Sequence, residues 1–190
     1  MKLKRDQRGF TLIELVIVLG IIAALAAAMY TRFQRFSGRG RTVEMIQTIN
    51  QLKKAVEVYY ADVGFYPPNN TISALWNRSN VRPTGVQALW QGPYVTPPAG
   101  TATSYSTPYG GTINIYYGND VNGYTGAGTY DVALLITKVP PDVATELNMK
   151  YDNEQTDASS GSKGIVVLSP QTDGTYNVYF VIAETSVASP

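Results

Sequence analysis

Apolar positions dominate residues 10–29 (FTLIELVIVLGIIAALAAAM), where Glu14 is the single charge. At a rise of ~1.5 Å per residue, 20 helical residues span ~30 Å, about one hydrocarbon core. Further along, the pattern changes from continuous to periodic. Ile46, Ile49, Leu52, Val56 and Tyr59 recur at three- and four-residue spacing. Gln47, Asn50, Gln51, Lys53, Lys54 and Glu57 fill the remaining faces, as in a helix with one buried stripe. Gly38 and Gly40 fall at the join, and each costs about 1 kcal/mol relative to Ala in a helix interior. The spacing predicts one long helix over about 10–61, weak near 37–40 and stopped by Gly64 and Pro67-Pro68.

Beyond it the period changes again. Residues 64–111 are rich in Gly, Pro, Asn, Ser, Thr and Tyr and read as a long irregular loop, with a short helix near Ile72–Trp76. Four β-like runs follow: Thr112–Tyr117, Tyr130–Thr137, Gly164–Leu168 and Tyr176–Ala183. Asn122-Gly123 and Asp173-Gly174 mark tight turns between the first and the last pair. Pro140-Pro141-Asp142 opens a short helix over Val143–Lys150. The predicted class is α+β: a long N-terminal helix, transmembrane in its first half, packed on a C-terminal antiparallel sheet. Four regions result: a leader at 1–9, an apolar helix at 10–30, its amphipathic continuation at 31–63 and a globular head at 64–190.

Composition narrows the chemistry. The 190 residues contain no His and no Cys. Ser-His-Asp triads, Cys nucleophiles and Cys/His zinc sites are therefore excluded, and no disulfide can form. The net charge of +1 hides an asymmetry. Residues 1–9 carry +3, residues 32–54 carry +5, and residues 55–190 carry −6. A basic head, an apolar segment and an acidic globular part describe a membrane-linked protein better than a nucleic-acid binder. The basic start also fits a cleaved secretory signal, with Ala23–Ala28 as its small-residue end. A core of ~20 residues carrying a Glu is long for such a signal, whose apolar region runs ~7–15.

The most specific feature is Arg8-Gly9-Phe10-Thr11-Leu12-Ile13-Glu14-Leu15. A Gly closes a basic leader, Phe opens an apolar helix, and a lone carboxylate follows four residues later. Charges inside a span are costly and usually have a partner. This segment resembles the class III signal of type IV pilins and of the related type II secretion pseudopilins. The resemblance implies cleavage after Gly9 by a prepilin peptidase, N-methylation of the new N-terminal Phe10, and pairing of Glu14 with the Phe10 ammonium of a neighbouring subunit during assembly. It implies a homopolymer built on an inner-membrane assembly platform, located in the inner membrane and then in an extracellular pilus. The pseudopilin alternative places it in a short periplasmic pseudopilus. Spacing alone does not force the Glu14 pairing across subunits, since the carboxylate also reaches its own terminus.

Other residues carry less. Gly20, Ala24 and Ala28 are spaced by four, which suits close helix packing in a fibre and also the ordinary composition of a membrane helix. Family members often have a Pro in the N-terminal helix and a C-terminal disulfide. Residues 27–36 have no Pro and the chain has no Cys, so the C-terminal region must be held otherwise. No catalytic residue and no cofactor is expected from the residues themselves. Some pseudopilins bind calcium in C-terminal loops, for which Asp152, Asn153 and Asp157, with Glu154, Asp120 and Asn122, supply oxygen ligands of the right type. The same cluster also reads as a solvated turn. The 14 Tyr, 5 Phe and 2 Trp read as packing rather than an electron path. Arg32, Arg35, Arg39 and Arg41 read as an interfacial anchor rather than a nucleic-acid site.

Overall fold

The computed structural model describes residues 11–99, 103–118, 129–152 and 164–190, with backbone alone for 31–38. The chain divides into two units, Met1–Gly40 and Arg41–Pro190. Helix α1 (Leu12–Val63) is continuous through Gly38 and Gly40. The weak point expected at 37–40 is therefore not a break: two glycine penalties of about 1 kcal/mol each do not outweigh the hydrogen bonding on both sides. The helix stops where expected. Gly64 takes a left-handed conformation (φ +78) and donates its N–H to Tyr60 O at 2.8 Å. Glycine accepts that backbone without strain and satisfies one of the last carbonyls.

In the second unit the periodic stripe meets a sheet. Strands β1 (Tyr105–Ser106), β2 (Thr112–Gly118), β3 (Tyr130–Val139), β4 (Val166–Pro170) and β5 (Tyr176–Thr185) pair antiparallel in the order β1-β2-β3-β5-β4. The sheet is not a plain run of hairpins. Helix α2 (Pro141–Tyr151) carries the chain from β3 to the far edge, and β5 returns into the gap. Alternate strand residues Ile113, Ile115, Leu134, Ile136, Val178 and Phe180 bury on one face. Met45, Ile49, Leu52, Val56, Tyr59 and Val63 of α1 and Val143, Ala144 and Leu147 of α2 complete one core with them. Tyr151 of α2 sets its ring edge-on against Phe180, centroids 4.8 Å apart, and its hydroxyl bonds Asn50 Oδ1 at 3.0 Å.

The segment expected as irregular, 64–111, has more order than its composition suggests. Three short 3-10 turns (Ile72–Leu75, Arg78–Asn80 and Thr84–Leu89) precede β1. Ile72, Ala74 and Leu75 are fully buried. Trp90 Nε1 donates to Ala74 O at 3.0 Å, and Tyr94 N donates to Leu75 O at 2.8 Å. The Asp173-Gly174 turn joins β4 to β5 as expected, with Asp173 Oδ1 accepting from Thr175 N at 3.0 Å and Thr175 Oγ1 at 2.6 Å. Those bonds, the hydroxyl's first, hold the Asp173 carboxyl below its ordinary pKa. The Asn122-Gly123 turn lies outside the described residues. Without a disulfide, the C-terminal region is held by β5 sitting inside the sheet and by Asn69 N donating to Ser189 Oγ at 2.8 Å.

Candidate functional site

The start of α1 is built by two residues of the motif. Thr11 N and Thr11 Oγ1 both donate to Glu14 Oε2 at 2.9 Å, and Glu14 N donates to Thr11 Oγ1 at 3.3 Å. This is a reciprocal capping box: each side chain satisfies the other's otherwise unpaired backbone N–H at the helix start. The signal was present in the sequence, since Thr11-Leu12-Ile13-Glu14 fits the S/T-x-x-E spacing, and sequence reasoning missed it by weighing Glu14 as a charge in search of a partner and not as a cap. Glu14 thus has a structural duty within a single subunit. Gly9 and Phe10 lie outside the described residues.

After the cap, the stretch Leu12–Tyr30 is apolar on every face, and none of its side chains is covered. Leu12–Tyr30 is long and apolar enough to cross a membrane, and none of that window is buried. Leu12 is 82% exposed, and Ile17, Ile22 and Leu25 stay more than half exposed. A helix apolar all round requires a lipid or protein environment, since water penalises each such side chain by roughly 1.5–3 kcal/mol relative to burial. Gly20, Ala24 and Ala28 lie on one exposed face of this segment. A Cβ added at Gly20 would meet nothing within 4 Å. The Gly is therefore not required by any contact among the described residues. Arg39 and Arg41 are exposed beyond the apolar run.

The calcium candidates divide. Asn153, Glu154, Asp157, Asp120 and Asn122 lie outside the described residues. Asp152 ends α2 and points at the start of β4: its Oδ1 accepts from Ile165 N at 2.8 Å and its Oδ2 from Val166 N at 2.7 Å. Glycine at 164 permits this approach, because a Cβ there would fall 2.6 Å from Asp152 Oδ2. The carboxylate also guards an edge. Val181 N donates to Ile165 O at 2.7 Å, so the carbonyl of Ile165 and the backbone groups of residues 167 and 169 turn to β5, and residues 166, 168 and 170 turn theirs away from it. Asp152 occupies the Val166 N–H, and Pro170 has none. An edge strand treated this way is a poor template for adventitious pairing.

Buried phenols are the main titration feature of the second unit. Burial raises Tyr59 and Tyr117 well above the ordinary tyrosine value, with Tyr94 adding to Tyr59, and Tyr59 and then Tyr66 adding to Tyr117. Tyr59 is fully buried, and its hydroxyl has no hydrogen-bond partner among the described residues. Among the described residues no three acidic side chains cluster as a metal site would need.

Comparison with known proteins adds to this geometry. Residues 4–30 match the family model described as prokaryotic N-terminal methylation motif. Residues 34–132, over half of the chain, match the model for type II secretion system (T2SS), protein G. A fimbrial protein of Neisseria meningitidis serogroup A is 36% identical over 83 residues, 44% of this chain and 49% of the relative. The type IV major pilin protein PilE of Neisseria gonorrhoeae is 37% identical over 76 residues, 40% of this chain and 46% of the relative. The prepilin peptidase-dependent protein D of Escherichia coli K12 is 44% identical over 52 residues, 27% of this chain and 36% of the relative. The chain spans about half the length of the first two of these relatives. No solved structure matches it.

Proposed function

The chain belongs to the family of type IV pilins and type II secretion pseudopilins, and we propose that it is a pilin: a structural subunit that polymerises through its N-terminal helix into a surface filament. A prepilin peptidase cuts after Gly9 and methylates Phe10. Residues 12–30 hold the subunit in the inner membrane, and an assembly platform moves it into a polymer of its own kind outside the cell. The observation that carries this reading is the methylation motif over residues 4–30 coinciding with a helical stretch, Leu12–Tyr30, whose whole apolar surface is uncovered. Leaving lipid for water would expose that surface, so the helix must pass from lipid to the covered centre of a fibre.

Cleavage creates an ammonium on Phe10, one turn before Glu14. Both charges are expensive in an apolar surrounding unless paired. A carboxylate has about four acceptor sites. Glu14 therefore keeps its Thr11 bonds and still accepts from the amine of a staggered neighbour, which fixes the register of one subunit on the next.

The test shears surface material from cells and weighs the subunit by mass spectrometry. The mature chain should begin at N-methyl-Phe10. Glu14→Leu should be processed and inserted but yield no filaments. A chain beginning at Met1 or after Ala28, or normal filaments from Glu14→Leu, overturns the proposal. The second reading, a short periplasmic pseudopilus, draws on the match of 34–132 to type II secretion protein G, and the type IV pilin relatives do not favour it. Absence of this subunit from the sheared fraction, with secretion lost on its deletion, would select that reading.

A further inference from the structure

Two tyrosines meet face to face where α1 ends. The rings of Tyr60 and Tyr66 stack with centroids 4.3 Å apart and planes 18° apart. Every other aromatic pair among the described residues is edge-to-face, from 66° for Tyr116 and Tyr179 to 87° for Trp90 and Tyr94. Tyr60 is 43% exposed, while Tyr66 is partly buried against the core. Both border a small cavity of about 30 Å³ that Tyr117, Val187 and Pro190 also line. We propose that Tyr60 and Tyr66 are an intramolecular dityrosine site, joined through their ortho carbons when a peroxidase-class oxidant reaches the exposed Tyr60 face.

Orbital geometry is the reason. Two phenoxyl radicals couple by overlap of their π faces, and each ortho carbon becomes tetrahedral as the bond forms. Stacked rings present face to face, whereas the T-shaped pairs present an edge to a face and hold no such overlap. The step balances. Each phenol gives up one electron and one proton, and the two radicals form one carbon–carbon bond. Each coupled carbon then passes its hydrogen to its own oxygen as the ring recovers aromaticity. One hydrogen peroxide, reduced to two waters, takes up both electrons and both protons. In a chain with no Cys, this is a covalent staple that needs no thiol. It ties the last turn of α1 to the loop that follows.

The experiment uses the full chain in detergent, treated with peroxidase and limiting hydrogen peroxide. Dityrosine fluorescence should appear in the monomer, which becomes two hydrogens lighter. Trypsin releases residues 55–78 as one peptide, and an Asp-specific protease cuts it before Asp62, between the two tyrosines. The halves should stay joined. Tyr60→Phe and Tyr66→Phe should each lose the signal, while Tyr116→Phe should keep it, with all three showing the wild-type circular dichroism. The proposal is overturned if the halves separate, if the signal survives either of the first two substitutions, or if the cross-links join different chains.

Discussion

Two stretches of α1 of equal length, residues 12–30 and 45–63, have opposite fates. In residues 12–30 every side chain is exposed, with Leu12 at 82%. In residues 45–63 the apolar stripe is buried, with Leu52 at 1%. The first stretch is apolar around its circumference, and a small head has no surface that covers all sides of a helix. The second is apolar on one face, and the sheet covers that face. The difference teaches that one helix carries two separate instructions. Its continuous part specifies an environment outside the subunit, and its periodic part specifies the subunit's own fold.

That division is broken most directly by equal truncations in the two stretches. Leu52→Ala removes a fully packed side chain from the core and should cost about 2–5 kcal/mol of the head's unfolding free energy, read by denaturant titration. Leu15→Ala, on the uncovered stretch, should leave that free energy within ~0.5 kcal/mol. Comparable losses from both would mean that the apolar helix supports the head directly. A smaller effect is expected at Asp152. Asp152→Ala leaves the N–H groups of Ile165 and Val166 without their acceptor, at a cost of about 1–3 kcal/mol. It also uncovers the β4 edge, so light scattering on storage should rise. Unchanged stability would show that water replaces the carboxylate at no cost.

Tyr59 sharpens the comparison from inside the head. Its hydroxyl is buried with no partner among the described residues, so Tyr59→Phe should stabilise by about 1 kcal/mol. A loss of that size would reveal a hydrogen bond. The same residue sets an alkaline limit. Burial raises Tyr59 and Tyr117, so the native state holds protons that the unfolded chain releases near the ordinary value of about 10. The stability linked to these groups is whole below that pH and is lost as pH rises beyond it. The melting temperature should fall above about pH 10, and fall less steeply in Tyr59→Phe.

Much of this was legible in the sequence, for reasons that differ by region. The apolar run and the stripe at Ile49, Leu52, Val56 and Tyr59 are periodic, and periodicity survives without knowledge of neighbours. The strands at 112–118, 130–139 and 176–185 were visible as runs over 112–117, 130–137 and 176–183, β-branched and aromatic and bounded by turn residues. What stayed hidden depends on distant partners. Nothing near Asp152 announces that its carboxylate closes an edge begun fourteen residues later. Nothing near Trp90 announces that its indole holds Ala74. The insertion of β5 between β3 and β4 is a long-range choice that no local turn encodes. The Thr11–Glu14 box was local and was still missed, because a rarer feature, a charge in an apolar span, drew the reasoning away from an ordinary cap.

Gly20 offers the smallest change and the cleanest test of what the uncovered stretch is for. Among the described residues no atom beyond the helix's own backbone lies within 4 Å of a Cβ added there, so no contact among them calls for glycine. In a helix interior glycine costs roughly 0.5–1 kcal/mol relative to alanine. Gly20→Ala should therefore strengthen the isolated helix by that amount, and the head's unfolding midpoint should not move. If Gly20, Ala24 and Ala28 form a close-packing face between subunits, the added methyl separates backbones that small residues let approach. Filament yield should then fall while helicity rises. Opposite signs in the two measurements mark a packing face, because a residue that serves only the subunit's own helix moves both in the same direction. Helicity by circular dichroism in detergent, read beside the sheared-filament yield, makes the distinction, and equal or higher filament yield removes Gly20 from the assembly surface.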